Sequence, residues 1–264
     1  MRSAHGHVFV HPDTAEVHAS MEVAIVNLEG DTLRRMEKDV EAGWQTLTWR
    51  GDTDGVRWPS RSLDEEEGPF GGGAPVAPGS YRALLSMGNH SDTMRMTVDS
   101  DPRSPFDEEK HARGVALRKE SEGQVVRLAK LMQQLAQAKV SMESMDAVWT
   151  HLEDSTTTGL DSLSAQALEG IEEIQAMLWT PEDFVGYDHV TIRVMDQLYD
   201  AMPDVAEGET PNARRKLDIA TSAVDRVEVA VQAWTDGPWQ ALMEEAQGMD
   251  VSLPLIYRAV RGKD

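Results

Sequence analysis

The first hundred residues alternate between apolar and polar positions with a period of two. The alternation is clearest at residues 21–25, 81–87 and 94–98. Such a pattern places one side of each segment in a core and the other in water, which predicts β-strands. Turn signals such as Asp54-Gly55 separate the segments. About six short strands spaced by turns predict an antiparallel β-sandwich.

Residues 64–78 interrupt this pattern and are predicted to form a loop. The segment contains three glutamates, then three consecutive glycines, and then two prolines at positions 75 and 78. The triglycine at 71–73 is not followed by Lys-Ser/Thr, so it is not a phosphate-binding loop. It is interpreted as a flexible hairpin tip.

After residue 103 the hydrophobic period becomes helical. Ser104 and Pro105 form a capping hydroxyl followed by a proline at the first helical position, which predicts a helix start. A seam with steps of three and four then continues without proline, so one long helix is predicted from about residue 105 to 154. The seam consists of Leu128, Leu131, Leu135, Ala138, Met142, Met145, Trp149 and Leu152.

Three further helical segments follow. The second seam runs from Leu160 to Leu178, a short one begins at Val194, and a third begins at Pro211 and is predicted to break at Gly237-Pro238. Antiparallel packing of these helices predicts an up-down bundle over residues 104–264, with the tail 251–264 docked on it. The chain is thus expected to be α+β, with domains at residues 1–103 and 104–264.

The net charge of the chain limits the classes of partner that it is expected to bind. The net charge of −21 makes binding to nucleic acid or to an anionic membrane surface a poor hypothesis. It fits either a salt-adapted host or an ordinary acidic protein. Cysteine is absent, which excludes disulfides and thiolate sites. No segment has the roughly 18 apolar residues that a transmembrane helix needs, and residues 1–20 do not form a signal peptide.

The order of motifs resembles that of a known family. It includes Leu33-Arg34-Arg35, Ala42-Gly43, Thr48-Trp49, the turn Val76-Ala77-Pro78-Gly79-Ser80-Tyr81, and Asp101-Pro102-Arg103 before the helices. This order resembles the C-terminal region of bacterial sortilin-like BNR-repeat proteins, which are often labelled glycosyl hydrolases. The sandwich is also similar to the immunoglobulin-like domain of flagellar-hook capping proteins.

The resemblance implies an accessory region of an exported, cell-surface protein. Family members carry an N-terminal β-propeller with repeats of the type S-x-D-x-G-x-T-W, and none occurs in this chain. Any glycosidase activity of the propeller is therefore not transferred. The partner implied is a protein or a covalently linked propeller domain.

Two groups are weak candidates for binding a metal. His5 and His7 would share one face of a strand, where imidazoles at i and i+2 can chelate, although a polar edge strand is the favoured interpretation. Asp52 and Asp54, followed by Gly55, look like the start of a calcium loop but lack its closing glutamate. A solvated turn is favoured there, and no metal or cofactor is predicted.

Tryptophans raise the possibility of carbohydrate stacking. Alternation places Trp49 and Leu47 on one face and Trp44 on the other. Trp49 is therefore predicted to lie in the core, and Trp44 and Trp58 are the candidate surface aromatics for a sugar.

The expected function is that of a non-catalytic interaction module, since no G-x-S-x-G elbow or phosphate loop is present. Two alternatives stay open. One is a carbohydrate-binding accessory domain of a glycoside hydrolase, and the other is a hydrolase with an unrecognised carboxylate site.

Overall fold

The structure, a computed structural model, describes residues 4–10, 20–61, 72–103, 105–149, 157–180 and 192–248. Antiparallel sheets are followed by helices, and the first helix is long, so the predicted α+β class is confirmed. The strands are β1 (Ala4–Val10), β2 (Ser20–Val26), β3 (Thr32–Asp39), β4 (Gly43–Trp49), β5 (Asp52–Asp54), β6 (Gly72–Pro75), β7 (Gly79–Met87) and β8 (His90–Val98). The helices are α1 (Glu108–Trp149), α2 (Thr157–Leu178), α3 (Val194–Asp200), α4 (Pro211–Trp234) and α5 (Gln240–Gly248).

Four of the strands form one antiparallel sheet in the order β3-β2-β7-β8, and β1 pairs with β4. The predicted alternation is confirmed, because Val23 and Ile25 of β2 and Ala83 of β7 are fully buried. Leu47 and Trp49 of β4 belong to the same hydrophobic cluster. The two sheets therefore share one core. The finer prediction of an immunoglobulin-like sandwich stays a prediction.

Two buried aromatic side chains place their polar atoms on backbone carbonyls. Trp49 is fully buried, as predicted, and its Nε1 donates a hydrogen bond to the carbonyl of Asp52 at 2.8 Å. The Tyr81 hydroxyl donates to the carbonyl of Ala77 at 2.6 Å, and burial raises the pKa of this phenol. The rings meet edge-to-face at 5.2 Å. Buried polar groups that lack a partner are costly, so these two bonds allow the rings to fill the core.

The pairing of β5 with β6 contradicts the predicted loop and flexible glycine tip at residues 72–75. A Cβ atom on Gly73 would overlap the backbone oxygen of Asp54, and one on Gly72 would overlap the carboxylate of Asp52. At Gly73 the two backbones approach too closely for a side chain, so the pairing requires this glycine. Gly71 lies outside the described residues.

Helix α1 begins three residues later than predicted. Asp107 precedes its first residue, and Asp107 Oδ1 accepts the backbone N–H of Lys110 at 2.9 Å. A carboxylate at this position satisfies an otherwise unpaired amide and interacts favourably with the helix dipole. Asp107 therefore caps the helix. Ser104, the predicted cap, lies outside the described residues, as do residues 150–156 at the predicted end.

Most residues of the predicted helical seams are buried. α4 packs against α2 and α3, and α2 also packs against α5. The seam residues at most 5% exposed are Leu128, Leu135, Ala138, Met142 and Met145 of α1, Leu160, Ala167, Ile171, Ile174 and Leu178 of α2, and Leu217, Ala220, Val224, Val227, Val231 and Trp234 of α4. The up-down order of the bundle stays a prediction.

The predicted break at Gly237-Pro238 is wrong. A π turn, Thr235–Trp239, joins α4 to α5, and Pro238 lies inside it. Proline lacks the amide that an α-helix needs at an interior position, and a π turn accommodates this by changing the hydrogen-bond register. The chain therefore continues as a helix, and Trp234 and Trp239 stack at 5.5 Å.

The chain divides into two compact units. The sheet unit takes its residues from 1–56, 70–119 and 203–210, and the helical unit from 57–69, 120–202 and 211–264. The sheet unit thus includes the first turns of α1. The predicted domains at 1–103 and 104–264 stay a prediction. Among the helices that the structure describes, none has the length and apolar character required to cross a bilayer.

Candidate functional site

The outer face of the β1–β4 pair carries two exposed aromatic side chains. Phe9 and Trp44 are directly opposite in the register, and their rings meet at 5.4 Å with an interplanar angle of 67°. Phe9 is 53% and Trp44 74% exposed, so the predicted exposure of Trp44 is confirmed. We call these two residues the aromatic pair. Their exposure follows from strand geometry, because Leu47 and Trp49 occupy the opposite face of β4.

A groove of about 210 Å³ adjoins Phe9 within the sheet unit. Its floor is apolar and includes Met21, Leu85 and Met87, all of them buried. Its rim is polar and is formed by His90, Ser91 and Asp92. Phe9 is one of the residues that line this groove, so the groove adjoins the aromatic pair, and Asp92 places a carboxylate at its rim.

The histidine candidates lie on the same strand as Phe9. His7 Nδ1 is 3.2 Å from Thr46 Oγ1, and His5 is opposite Thr48 in the register. Within the described ranges, no group of three histidine or acidic side chains could hold a metal ion.

Asp52 and Asp54, the candidate calcium ligands, form polar contacts with residues of β3. Asp52 forms an ion pair with Arg34 at 2.6 Å, and Asp54 Oδ1 accepts the backbone N–H of Arg35 at 3.1 Å. The carboxylates thus serve the packing of β5 against β3. The favoured interpretation as a solvated turn is wrong, because both residues are in a strand and the Asp52 side chain is only 17% exposed.

Trp58 is not a surface aromatic. It belongs to the helical unit, is 3% exposed and stacks on Tyr199 with ring centroids 4.5 Å apart. The ring is buried because α3 supplies this partner from a distant part of the chain. The paired Trp44 and Trp58 platform is therefore excluded, and the 67° angle prevents Phe9 from forming a flat platform with Trp44.

Two histidines among the described residues, His7 and His111, bear on the hydrolase alternative. The contact of His7 with Thr46 pairs an imidazole with a hydroxyl, as nucleophilic catalysis requires, but both residues are exposed on a flat strand face. Nothing there excludes water from a reacting group. The rings of His111 on α1 and Phe106 lie 5.2 Å apart between their centroids. Burial lowers the pKa of the His111 imidazole. His151 lies outside the described residues.

Glu120 and Arg127 of α1 have shifted pKa values because they form ion pairs with α4. A hydrogen bond from Arg214 lowers the pKa of Glu120, and the hydrogen bond with Glu228 raises that of Arg127. Arg127 also pairs with Asp225 at 2.8 Å. These pairs join two helices and do not surround a catalytic cleft.

Sequence reasoning missed Phe9 as a surface residue. Val8, Phe9 and Val10 are all apolar, so the local pattern does not show which of them faces outward, and the partner of Phe9 depends on the register between β1 and β4. That register is a long-range property, so the local pattern indicated no aromatic pair. Comparisons of the chain with protein-family models, with curated proteins and with solved structures return no match.

Proposed function

We propose that this chain is a non-catalytic interaction module that binds a protein partner through the aromatic pair and the adjoining groove. The partner that the resemblance implies is a β-propeller, either linked to this chain or separate from it. The observation that carries the proposal is the exposure of Phe9 and Trp44 in direct cross-strand contact.

Large exposed aromatics are costly to leave in water and valuable in an interface. Tryptophan and tyrosine are enriched among the few interface residues whose truncation costs about 2 kcal/mol or more. Ring–ring contact already fixes Trp44 against Phe9, so little side-chain freedom is lost when a partner covers them. The groove beside Phe9 provides a recess for an apolar side chain of the partner.

Charge defines the chemistry of the partner. Asp92 lies at the rim of the groove, and the whole chain carries a net charge of −21. A partner surface with basic residues around an apolar centre complements this arrangement and would be steered towards it. The same charge disfavours nucleic acid.

Carbohydrate binding is the second candidate, and the exposure of Trp44 favours it. A single exposed indole can stack on a sugar ring. Titration with soluble oligosaccharides, followed by tryptophan fluorescence, tests this function. A saturable change that disappears in Trp44→Ala would favour sugar over protein.

Site-specific crosslinking tests the protein partner. Photoreactive benzoylphenylalanine is placed at position 44, and at position 28 as the matched control, because Leu28 is also exposed, at 66%, in the same unit. The expected result is a propeller-bearing protein of the same cell crosslinked at position 44 and not at 28. Equal yields at both positions would contradict the assignment of the surface.

Affinity for the purified partner gives the quantitative test. Phe9→Ala with Trp44→Ala should weaken binding by about tenfold to a hundredfold, while Leu28→Ala leaves it unchanged. An unchanged dissociation constant in the double variant would refute the proposed surface.

A further inference from the structure

The helical unit contains a pocket of about 290 Å³ between α1 and α4. Its apolar wall is formed by Leu131 and Leu135 of α1 and by Val231 and Trp234 of α4. Polar side chains complete it, namely Gln134, Glu228, Gln232 and Thr235. The volume lies near the lower end of the range for small-molecule sites, roughly 300–1,000 Å³.

The π turn begins at the edge of this pocket. Thr235 is both the first residue of the turn and a lining residue, and its hydroxyl donates to the carbonyl of Val231 at 2.8 Å. A π turn inserts one extra residue into a helix, and such turns occur frequently at functional sites.

Trp234 forms a fixed wall. Its Nε1 donates to the carbonyl of Ala167 at 2.8 Å, and its ring stacks on Trp239. A Cβ atom on Gly170 would lie only 2.6 Å from Trp234 Cδ1, so the glycine leaves space for the ring. Because the indole is held on several sides, the pocket wall exists before any ligand binds, which limits the entropic cost of binding.

The carboxylate of Glu228 lines the pocket and favours a positively charged ligand. Glu228 and Asp225 share one guanidinium, that of Arg127, so the group of three side chains carries a net negative charge. Gln232 also lines the pocket, and its amide nitrogen donates to Asp236 at 2.8 Å. Carboxylate and carbonyl oxygens accept hydrogen bonds from an ammonium group.

We propose that this interhelix pocket binds a primary amine with a short apolar body, its ammonium group at Glu228 and its body against Trp234 and Leu135. Asp225 retains Arg127 when the ammonium engages Glu228. Because the pocket lies wholly within the helical unit, this binding is independent of the aromatic pair.

The probe is 2-phenylethylamine, titrated into the full chain and followed by calorimetry and by the indole ¹⁵N–¹H resonance of Trp234, assigned with Trp234→Phe. The uncharged 2-phenylethanol and the anionic 3-phenylpropionate are matched ligands. The expected result is saturable binding of the amine at about 1 mM or below, at least tenfold weaker binding of the alcohol, and none of the acid.

Three variants locate the site. Glu228→Gln should weaken amine binding at least tenfold, and Gln134→Trp, a change at an exposed rim position, should abolish it by filling the entrance. Glu245→Gln is the matched control, since Glu245 is an exposed glutamate that does not line the pocket, and it should bind as the unaltered chain does. The proposal is overturned if the amine shows no saturable binding up to about 10 mM, or if the alcohol or Glu228→Gln gives the same affinity.

Discussion

Trp44 of the sheet unit and Trp234 of the helical unit illustrate how differently the two regions use the same side chain. Trp44 is 74% exposed and touches Phe9 across the outer face of two strands. Trp234 is 5% exposed, stacks on Trp239 and donates its N–H to a carbonyl of α2. A strand presents alternate residues to opposite faces, so an indole can sit one residue away from the buried row. A helical seam turns all of its apolar residues to one side.

The comparison also shows what the two regions have in common. Trp49 in the sheet core is held in the same way as Trp234, by an N–H bond of 2.8 Å to a backbone carbonyl. The difference between the units thus lies at their surfaces. The sheet unit exposes Trp44 at its surface, whereas the helical unit buries Trp234 beside the pocket between α1 and α4.

The largest expected change in stability comes from removing the buried indole N–H bonds that Trp49 and Trp234 have in common. Trp49→Phe and Trp234→Phe should each lower the free energy of unfolding by about 2–4 kcal/mol, because each leaves a cavity and removes a buried hydrogen bond from the indole N–H to a backbone carbonyl. Trp44→Ala should change it by less than about 0.5 kcal/mol, because the ring is exposed. Urea denaturation followed by circular dichroism measures all three. A loss of 2 kcal/mol or more in Trp44→Ala would show that the aromatic pair is structural.

Substitution of Gly170 and Gly123 in the helical unit should give the next largest changes in stability. Gly170→Ala should destabilise the chain by about 1–3 kcal/mol, since the new methyl meets the Trp234 ring at 2.6 Å. Gly123→Ala, in α1, should stabilise it by up to about 1 kcal/mol, because a Cβ there meets no atom within 4 Å and alanine favours the helix. Thermal unfolding should therefore shift in opposite directions. Shifts of the same sign would contradict the packing around Trp234.

Tyr81→Phe removes a single hydroxyl from the sheet core. The bond to the carbonyl of Ala77 is 2.6 Å, and its loss should cost about 1 kcal/mol, within a range of 0.5–2. The edge-to-face contact with Trp49 is kept, so the effect should be smaller than that of Trp49→Phe. Urea midpoints of the two variants provide the measurement, and equal losses would refute the separate role of the hydroxyl.

The smallest effect concerns the ion pair of Arg214 with Glu120. A double-mutant cycle with Arg214→Met and Glu120→Gln should give a coupling of about 0.2–1 kcal/mol, because both side chains are partly exposed. Arg214 lowers the pKa of Glu120 below its ordinary value of 4.5, so the folded state holds the carboxylate ionised. The coupling should be fully present above about pH 5 and disappear as the pH falls through the lowered pKa. A coupling that persists unchanged at pH 2 would contradict an electrostatic origin.

Several features were predictable from local patterns. The alternation at residues 21–25 and 81–87 and the three-four seams of α1, α2 and α4 gave the correct elements and buried faces. These predictions succeeded because burial of one face follows directly from the period of each element. The exposure of Trp44 and the burial of Trp49 followed from the same rule.

Other features depended on partners far away in the chain. The strand at residues 72–75 forms because Asp52–Asp54 lies beside it, and Trp58 is buried because Tyr199 covers it. The cap at Asp107 and the π turn at Pro238 are local, yet competing signals at Ser104-Pro105 and Gly237-Pro238 pointed elsewhere. The metal and carbohydrate candidates could not be judged without knowing which carboxylates and rings were already engaged.

The amino-acid sequence by itself determined the α+β class, the strand and helix periods, the acidic charge and the inward face of each seam. The tertiary structure decided which side chains meet at the two proposed sites. Phe9 meets Trp44 only through the register of β1 with β4, and the pocket beside Trp234 exists only where α1 lies against the start of the π turn. Period is encoded by neighbouring residues, whereas register and helix contact are set by non-local packing, which no local pattern specifies.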